Sequence, residues 1–216
     1  MVAATAALIV FGGAGAVVGG TACDVRIGTL GAGVEVVQSL SEQFNVRIGA
    51  NHAAFTLDGD LEDVKYKFDI DLNTVSLLFD WHPASGPFRL TAGGFYNGNE
   101  ARGRATPSDW IDIGNSSYPP EFVGALNAKI DFEPLAGYFG IGFGNAVQGE
   151  GHWSALFDLG LMFFAAPEFT LTAEGPLAGY PAFQADLAQE RQNIEDDVTS
   201  KITFYPVLSL GLAYRF

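Results

Sequence analysis

The sequence predicts an all-β protein: an antiparallel up-and-down transmembrane β-barrel of eight to ten strands, with one helix in the loop before the last strand. Three observations predict it. Segment after segment alternates large apolar residues with small or polar ones. The chain closes on a strand of about a dozen residues, FYPVLSLGLAYRF, that stops at an aromatic. A helical pattern occurs once, over 181–200.

Composition bounds the alternatives. Of 216 residues, 48% are hydrophobic, yet beyond the first 22 no apolar run is long enough for a membrane helix. Gly at 27 and Phe at 18 against Met at 2 favour strands over packed helices. A net charge of −14 argues against nucleic acid, which needs clustered Lys and Arg. One cysteine, Cys23, excludes an internal disulfide and a thiolate metal cluster.

The first 22 residues, MVAATAALIVFGGAGAVVGGTA, are small, apolar and uncharged. Gly20 and Ala22 make a small-x-small cleavage site before Cys23, so 1–22 is expected to be a signal peptide, though without a basic start, and 23–216 a single barrel domain. Cys23 after Gly-Thr-Ala has the look of an acylation site, but Gly20 stands where a large aliphatic residue is expected.

The elements follow in order. TLGAGVEVV sets Leu30, Ala32, Val34 and Val36 against Gly31, Gly33 and Glu35, and FNVRIGAN sets Phe44, Val46, Ile48 and Ala50 against Asn45, Arg47, Gly49 and Asn51. Residues 64–82 form a long strand whose apolar phase slips near Asn73–Thr74, from Tyr66, Phe68, Ile70 and Leu72 to Val75, Leu77, Phe79 and Trp81. A slip of one residue marks a β-bulge or a change of environment. PASGP turns the chain into FRLTAGGFYNG, and 98–125 reads as a long irregular loop. LNAKIDF, YFGIGFGN, SALFDLGLMFF and EFTLTAEG alternate again. In 181–200, Pro181 suits a helix first turn, and Phe183, Leu187, Ile194 and Val198 make a thin apolar stripe.

Nine segments thus carry bulky apolar residues on one face and Gly, small polar residues and scattered charges on the other. A soluble sandwich would have a far more charged outer face. In lipid the pattern inverts, apolar outward and small or polar inward, with backbone groups satisfied by closure. Trp81, Tyr96 and Trp153 lie near strand ends, where membrane-interface aromatics belong. Nine is an odd number, and bacterial barrels are even. Either a further strand precedes Thr29, or one segment is not a separate wall strand; the turn at 132–137 is the weakest joint.

The terminal LSLGLAYRF, with Leu210, Leu212, Tyr214 and Phe216 in alternate positions, resembles the signal read by the barrel-assembly machinery. TLGAGVEVVQSLSEQFNVRIGAN resembles barrel hairpins with short periplasmic turns, and DWHPASGPFRLTAGGFYNGN and YFGIGFGN resemble segments of proteobacterial members. Over most of 24–216 the chain resembles the small Gram-negative outer-membrane β-barrels of the outer-membrane protein A, W and X type. The resemblance implies residence in the bacterial outer membrane. It also implies contact with outer-membrane lipid and lipopolysaccharide, and with the assembly machinery during biogenesis. It implies no activity.

Candidate chemistry lies in the inward charges Glu35, Arg47, Asp80, Arg89, Lys129, Asp131, Asp158, Glu174 and Arg215. Buried charges must pair, and eight strands leave an interior just filled by side chains. A plugged, ion-paired lumen is therefore expected, with a structural or surface-interaction role through the loops at 58–65, 98–125 and 176–201. The alternative is a narrow passive channel for small or hydrophobic solutes; a surface enzyme acting on lipid or peptide is third. Asp69 and Asp71 share a face read as inward, but no His or Ser nucleophile accompanies them, so no catalytic residue is assigned. His52, His82 and His152 have no ligand spacing, and Asp58, Asp60, Glu62 and Asp63 lack the order of a calcium loop. No metal or cofactor is expected.

Overall fold

The computed structural model describes residues 20–61, 64–149, 151–197 and 202–216. Most of the leader expected over 1–22 lies outside the described residues; its last two, Thr21 and Ala22, stand in the first strand.

Eleven strands form one sheet, and eight of them close a barrel. The wall runs β1 (Thr21–Gly28), β2 (Gly31–Ser39), β3 (Phe44–Leu61), β4 (Val64–Trp81), β5 (Phe88–Asn97), β10 (Leu135–Phe143), β11 (Trp153–Phe163) and β13 (Phe204–Arg215), antiparallel throughout. β13 pairs with β1 along Ala22↔Arg215 to Gly28↔Ser209, and that seam closes the ring.

This arrangement resolves the parity. A strand does precede Thr29: β1 alternates Cys23, Val25 and Ile27 outward with Asp24 and Arg26 inward. Two of the nine segments, LNAKIDF and EFTLTAEG, are strands outside the wall. They are β9 (Leu126–Asp131) and β12 (Glu168–Ala173).

Both belong to an extension above the membrane. β6 (Glu100–Pro107) pairs with the upper half of β4, β9 with β6 and β12 with β9, giving a surface sheet in the order β3-β4-β6-β9-β12. The stretch 98–125 is therefore not one irregular loop. It holds β6, the hairpin β7 (Ile111–Ile113) and β8 (Ser116–Tyr118), and the short helix α1 (Pro120–Val123). β6 escapes sequence reading because its apolar face is only Ala101, Gly103 and Ala105.

The phase slip at 73–74 is a change of solvent, not a bulge. β3 and β4 pair residue for residue from Phe44↔Trp81 to Leu61↔Val64. Below the hydrogen-bonded pair His52 and Asn73, the outward face is Phe44, Val46, Ile48, Val75, Leu77 and Phe79. Above it, the same face carries Thr56, Asp58, Lys65, Lys67, Asp69 and Asp71, while Phe55, Leu57, Phe68 and Ile70 take the inner side. That exchange of faces is what a lipid–water boundary at the level of this pair would impose. Asp69 and Asp71, read as inward, point out into water. Thr56 donates a hydrogen bond to Asp69 at 2.5 Å.

The expected helix is present as α2 (Pro181–Asp197), starting at its proline. Phe183 and Leu187 are buried with Ile113, Val123 and Leu126, and Phe183 meets Tyr118 edge-on at 5.0 Å. Ile194 is half-buried, and Val198 lies outside the described residues. Helix, hairpin and sheet thus share a small second core above the barrel. Replacing Phe183 with Ala should cost that cap about 3–5 kcal/mol. Amide exchange over 111–123 should accelerate, while the heat-dependent gel shift of the barrel is unchanged.

Candidate functional site

The lumen is the first candidate site. Arg47 on β3 stands at its centre, fully desolvated. Its guanidinium lies 3.0 Å from Glu35 on β2, 2.9 Å from Asp80 on β4 and 3.2 Å from Asp158 on β11. Arg89 on β5 reaches Asp158 at 2.7 Å and also donates to the Gly144 carbonyl. Arg26 on β1 lies 2.6 Å from Glu35, 3.0 Å from Asp24 and 3.5 Å from Asp158. Thr91 donates to Asp80 at 2.7 Å. Three guanidiniums and four carboxylates from six of the eight wall strands thus form one buried network. Each side chain has at least one partner of opposite charge, as charges out of water require.

The small inner-face residues are the complement of these long ones. A Cβ on Gly142 would sit 2.6 Å from Arg89 Nε, and one on Gly140 would meet the Tyr138 hydroxyl. The glycines make room for charged and aromatic side chains folded across the barrel. Above the network, Leu30, Leu78, Phe95, Tyr138, Met162, Phe164 and Val207 cluster, with Phe95 and Tyr138 edge to face at 5.5 Å. Between network and cluster remains a cavity of about 20 Å³, room for roughly one water molecule.

The periplasmic end is filled by residues 144–149, with 151 and 152 beside them. Asn145, Ala146 and Val147 are buried beside Ala22, Val37, Leu156 and Ala213. Gly144, Gly149 and Gly151 adopt positive φ, the left-handed turns that fold this segment back into the mouth. Arg215 fastens it, donating to the carbonyls of Val147 at 3.4 Å, Gly149 at 3.0 Å and Gly151 at 2.6 Å. His82, just past β4, is also buried here. Its Nδ1 lies 2.8 Å from the Gly86 carbonyl and its Nε2 is 3.2 Å from the Asn45 amide. Burial lowers its pKa from the ordinary histidine value.

Of the nine charges read as luminal, Glu35, Arg47, Asp80, Arg89 and Asp158 meet in the network. The other four stand elsewhere. Lys129, Asp131 and Glu174 belong to the surface sheet, because β9 and the end of β12 rise above the membrane; Lys129 lies 2.7 Å from Asp131 and 3.0 Å from Glu100. Arg215 is at the periplasmic mouth. Asp24 and Arg26 were missed, although the alternation Cys23, Val25, Ile27 against Asp24, Arg26, Gly28 marks them as clearly as any other strand. Leu210, Leu212 and Tyr214 share the outward face of β13, and Phe216, just past its end, packs edge-on against Tyr214. Trp81 and Trp153 lie at the periplasmic end and Tyr96 near the opposite one, all exposed on the lipid side.

On the surface sheet, Arg104 holds Glu174 through both carboxylate oxygens at 2.6 Å, and Asn127 adds a bond at 2.9 Å. These hydrogen bonds lower the Glu174 pKa to about 2. No group of three or more His, Cys, Asp or Glu among the described residues is placed to hold a metal ion.

Two outcomes follow from these contacts. Arg47→Ala would leave Glu35, Asp80 and Asp158 short of charge in a dry interior, a loss of about 3–5 kcal/mol, read as a lower urea midpoint of the refolded barrel. The Glu174 contact stabilises the surface sheet fully above a carboxyl's ordinary pKa near 4.5 and is lost as pH falls from there through about 2. Carboxyl chemical shifts across an acid titration should show Glu174 protonating well below a carboxyl's ordinary value near 4.5.

No family model matches the sequence, and no curated protein sequence matches it. Solved structures do. CarO2 from Acinetobacter baumannii matches with a TM-score of 0.63 at 17% identity, covering 91% of this chain and 98% of that one. CarO from the same organism matches with a TM-score of 0.59 at 19% identity, covering 90% and 97%. The chain has the fold of a small bacterial outer-membrane β-barrel.

Proposed function

We propose that this chain is an integral outer-membrane protein whose barrel is a non-conducting anchor and whose work is done by the sheet and helical cap held above the membrane. On this reading it serves envelope integrity or surface contact, among outer-membrane lipid and lipopolysaccharide, and is neither a channel nor an enzyme. The barrel-assembly machinery inserts it by reading Leu210, Leu212, Tyr214 and Phe216. The observation that carries this reading is the Arg47 network, which joins six of eight strands across the lumen beside a cavity of about 20 Å³. A hydrated ion needs a continuous path, and one would require several of these pairs to part together.

Conductance of the refolded protein in a planar bilayer tests it. The expected result is silence, with folding verified by the heat-dependent gel shift. Discrete, reproducible openings would replace this reading with the channel.

A further inference from the structure

The outward face of the surface sheet carries its charges in rows. Nearest the membrane, Asp71, Glu100, Asp131 and Glu168 face one another across β4, β6, β9 and β12. The next row holds Asp69, Arg102 and Lys129, and above it Lys67 stands directly opposite Arg104. Lys65, Lys67, Arg102, Arg104 and Lys129 together make up five of the eleven basic residues in a chain of net charge −14. Like charges placed opposite on adjacent strands destabilise a sheet, so Lys67 and Arg104 each need negative charge beside them.

The lower cations find theirs within the sheet. Lys129 bridges Glu100 and Asp131, and Arg102 pairs with Glu100 and stands 4.0 Å from Asp71. The upper ones are less well matched. Lys67 lies 3.8 Å from Asp69 and stands opposite Asp58 on β3. Arg104 is turned aside to Glu174. Between these strands lies an open, shallow groove of about 400 Å³ lined by Lys65, Tyr66, Lys67, Arg104 and Thr106 with Asp58 and Gly59. That volume suits a small ligand.

The lining specifies chemistry. Two ammonium groups can hold a phosphate as point charges, and Arg104, kept in place by Glu174, adds to their field. Asp58 would repel a bare phosphate, but a carboxylate accepts hydroxyl hydrogens, and the Thr106 hydroxyl can donate or accept. We propose that this groove binds a phosphate-bearing saccharide, with Lys65 and Lys67 on the phosphate and Asp58 and Thr106 on sugar hydroxyls. Lys67 lies six residues above Asn73, about 20 Å along the strand from the lipid boundary, and faces the same way as the lipid-contacting side chains below. The saccharide can be the head of a glycolipid in the surrounding leaflet or a free sugar phosphate. This proposal rests on the reading that the surface sheet makes the protein's contacts; its readout is ligand binding, independent of conductance.

The test is titration calorimetry of the refolded, detergent-held protein. One arm uses glucose 1-phosphate, with glucose and inorganic phosphate as half-ligands. The other uses lipopolysaccharide and its dephosphorylated form. Saturable binding of glucose 1-phosphate, tighter than either half, supports a free sugar phosphate. Binding confined to lipopolysaccharide and lost on dephosphorylation supports the leaflet glycolipid. In either case Lys65→Gln with Lys67→Gln should weaken binding about tenfold or more, the loss of at least one charge-assisted hydrogen bond. Lys129→Gln, outside the groove, should not, and the gel shift should show all variants folded. Absence of saturable binding in both arms, or binding indifferent to the double variant, overturns the proposal.

Discussion

An eight-stranded wall encloses too little space for both side chains and water, and most of this molecule is a response to that limit. A charge inside such a wall has no solvent to neutralise it, so it must be met by another charge. The answer is the ring of guanidiniums and carboxylates around Arg47. Each long side chain then needs empty space above the neighbouring strand, which only glycine leaves. Arg89 lies over Gly142, and the Tyr138 hydroxyl over Gly140 and Gly160. The glycine content and the buried charges are therefore one feature seen from two sides.

A second constraint is the position of the lipid boundary. β3 and β4 run unbroken through it, and the backbone does not register the crossing. Their side chains do, exchanging inner and outer roles at His52 and Asn73. Below that level the apolar face is held by the bilayer. Above it, only protein can cover the apolar face. Phe55, Leu57 and Phe68 stay exposed there, whereas the apolar residues of β9 and β12 find that cover in the core under α2, where Phe183 and Leu187 cover Leu126 and its neighbours. The barrel and its extension are thus stabilised by different solvents on the same continuous strands.

The sequence was legible wherever one environment ruled a whole strand. β2, β11 and β13 could be placed, with their inward and outward residues, from period two alone, and α2 from Pro181 and its stripe. Reading failed where local pattern is silent about height above the membrane. LNAKIDF alternates as a lipid-facing strand would, yet Lys129 and Asp131 face water, because nothing in six residues says which solvent surrounds them. Only the tertiary pairing of β9 with β6 and β12 decides it. Asp24 and Arg26 were lost for a different reason. They lie so close to the apolar run of the first 22 residues that their own alternation was outweighed, and the odd strand count was the signal left standing. Within the lumen, the identity of Glu35, Arg47, Asp80, Arg89 and Asp158 could be read, whereas who pairs with whom required the barrel's closure.

The seam between β1 and β13 joins the two extremes of the described chain, the contact of greatest sequence separation in the wall and the slowest kind to form. Arg215, which fastens Val147, Gly149 and Gly151 in the periplasmic mouth, sits on that closing strand. Its three bonds to backbone carbonyls come with the pairing of β13 to β11, which sets Trp153 opposite Tyr214. Until then the mouth has no latch, and the interior stays reachable from the periplasm while the charges inside sort out their partners. Two tasks meet in one strand: its β1 edge completes the cylinder, and its last arginine seals the mouth.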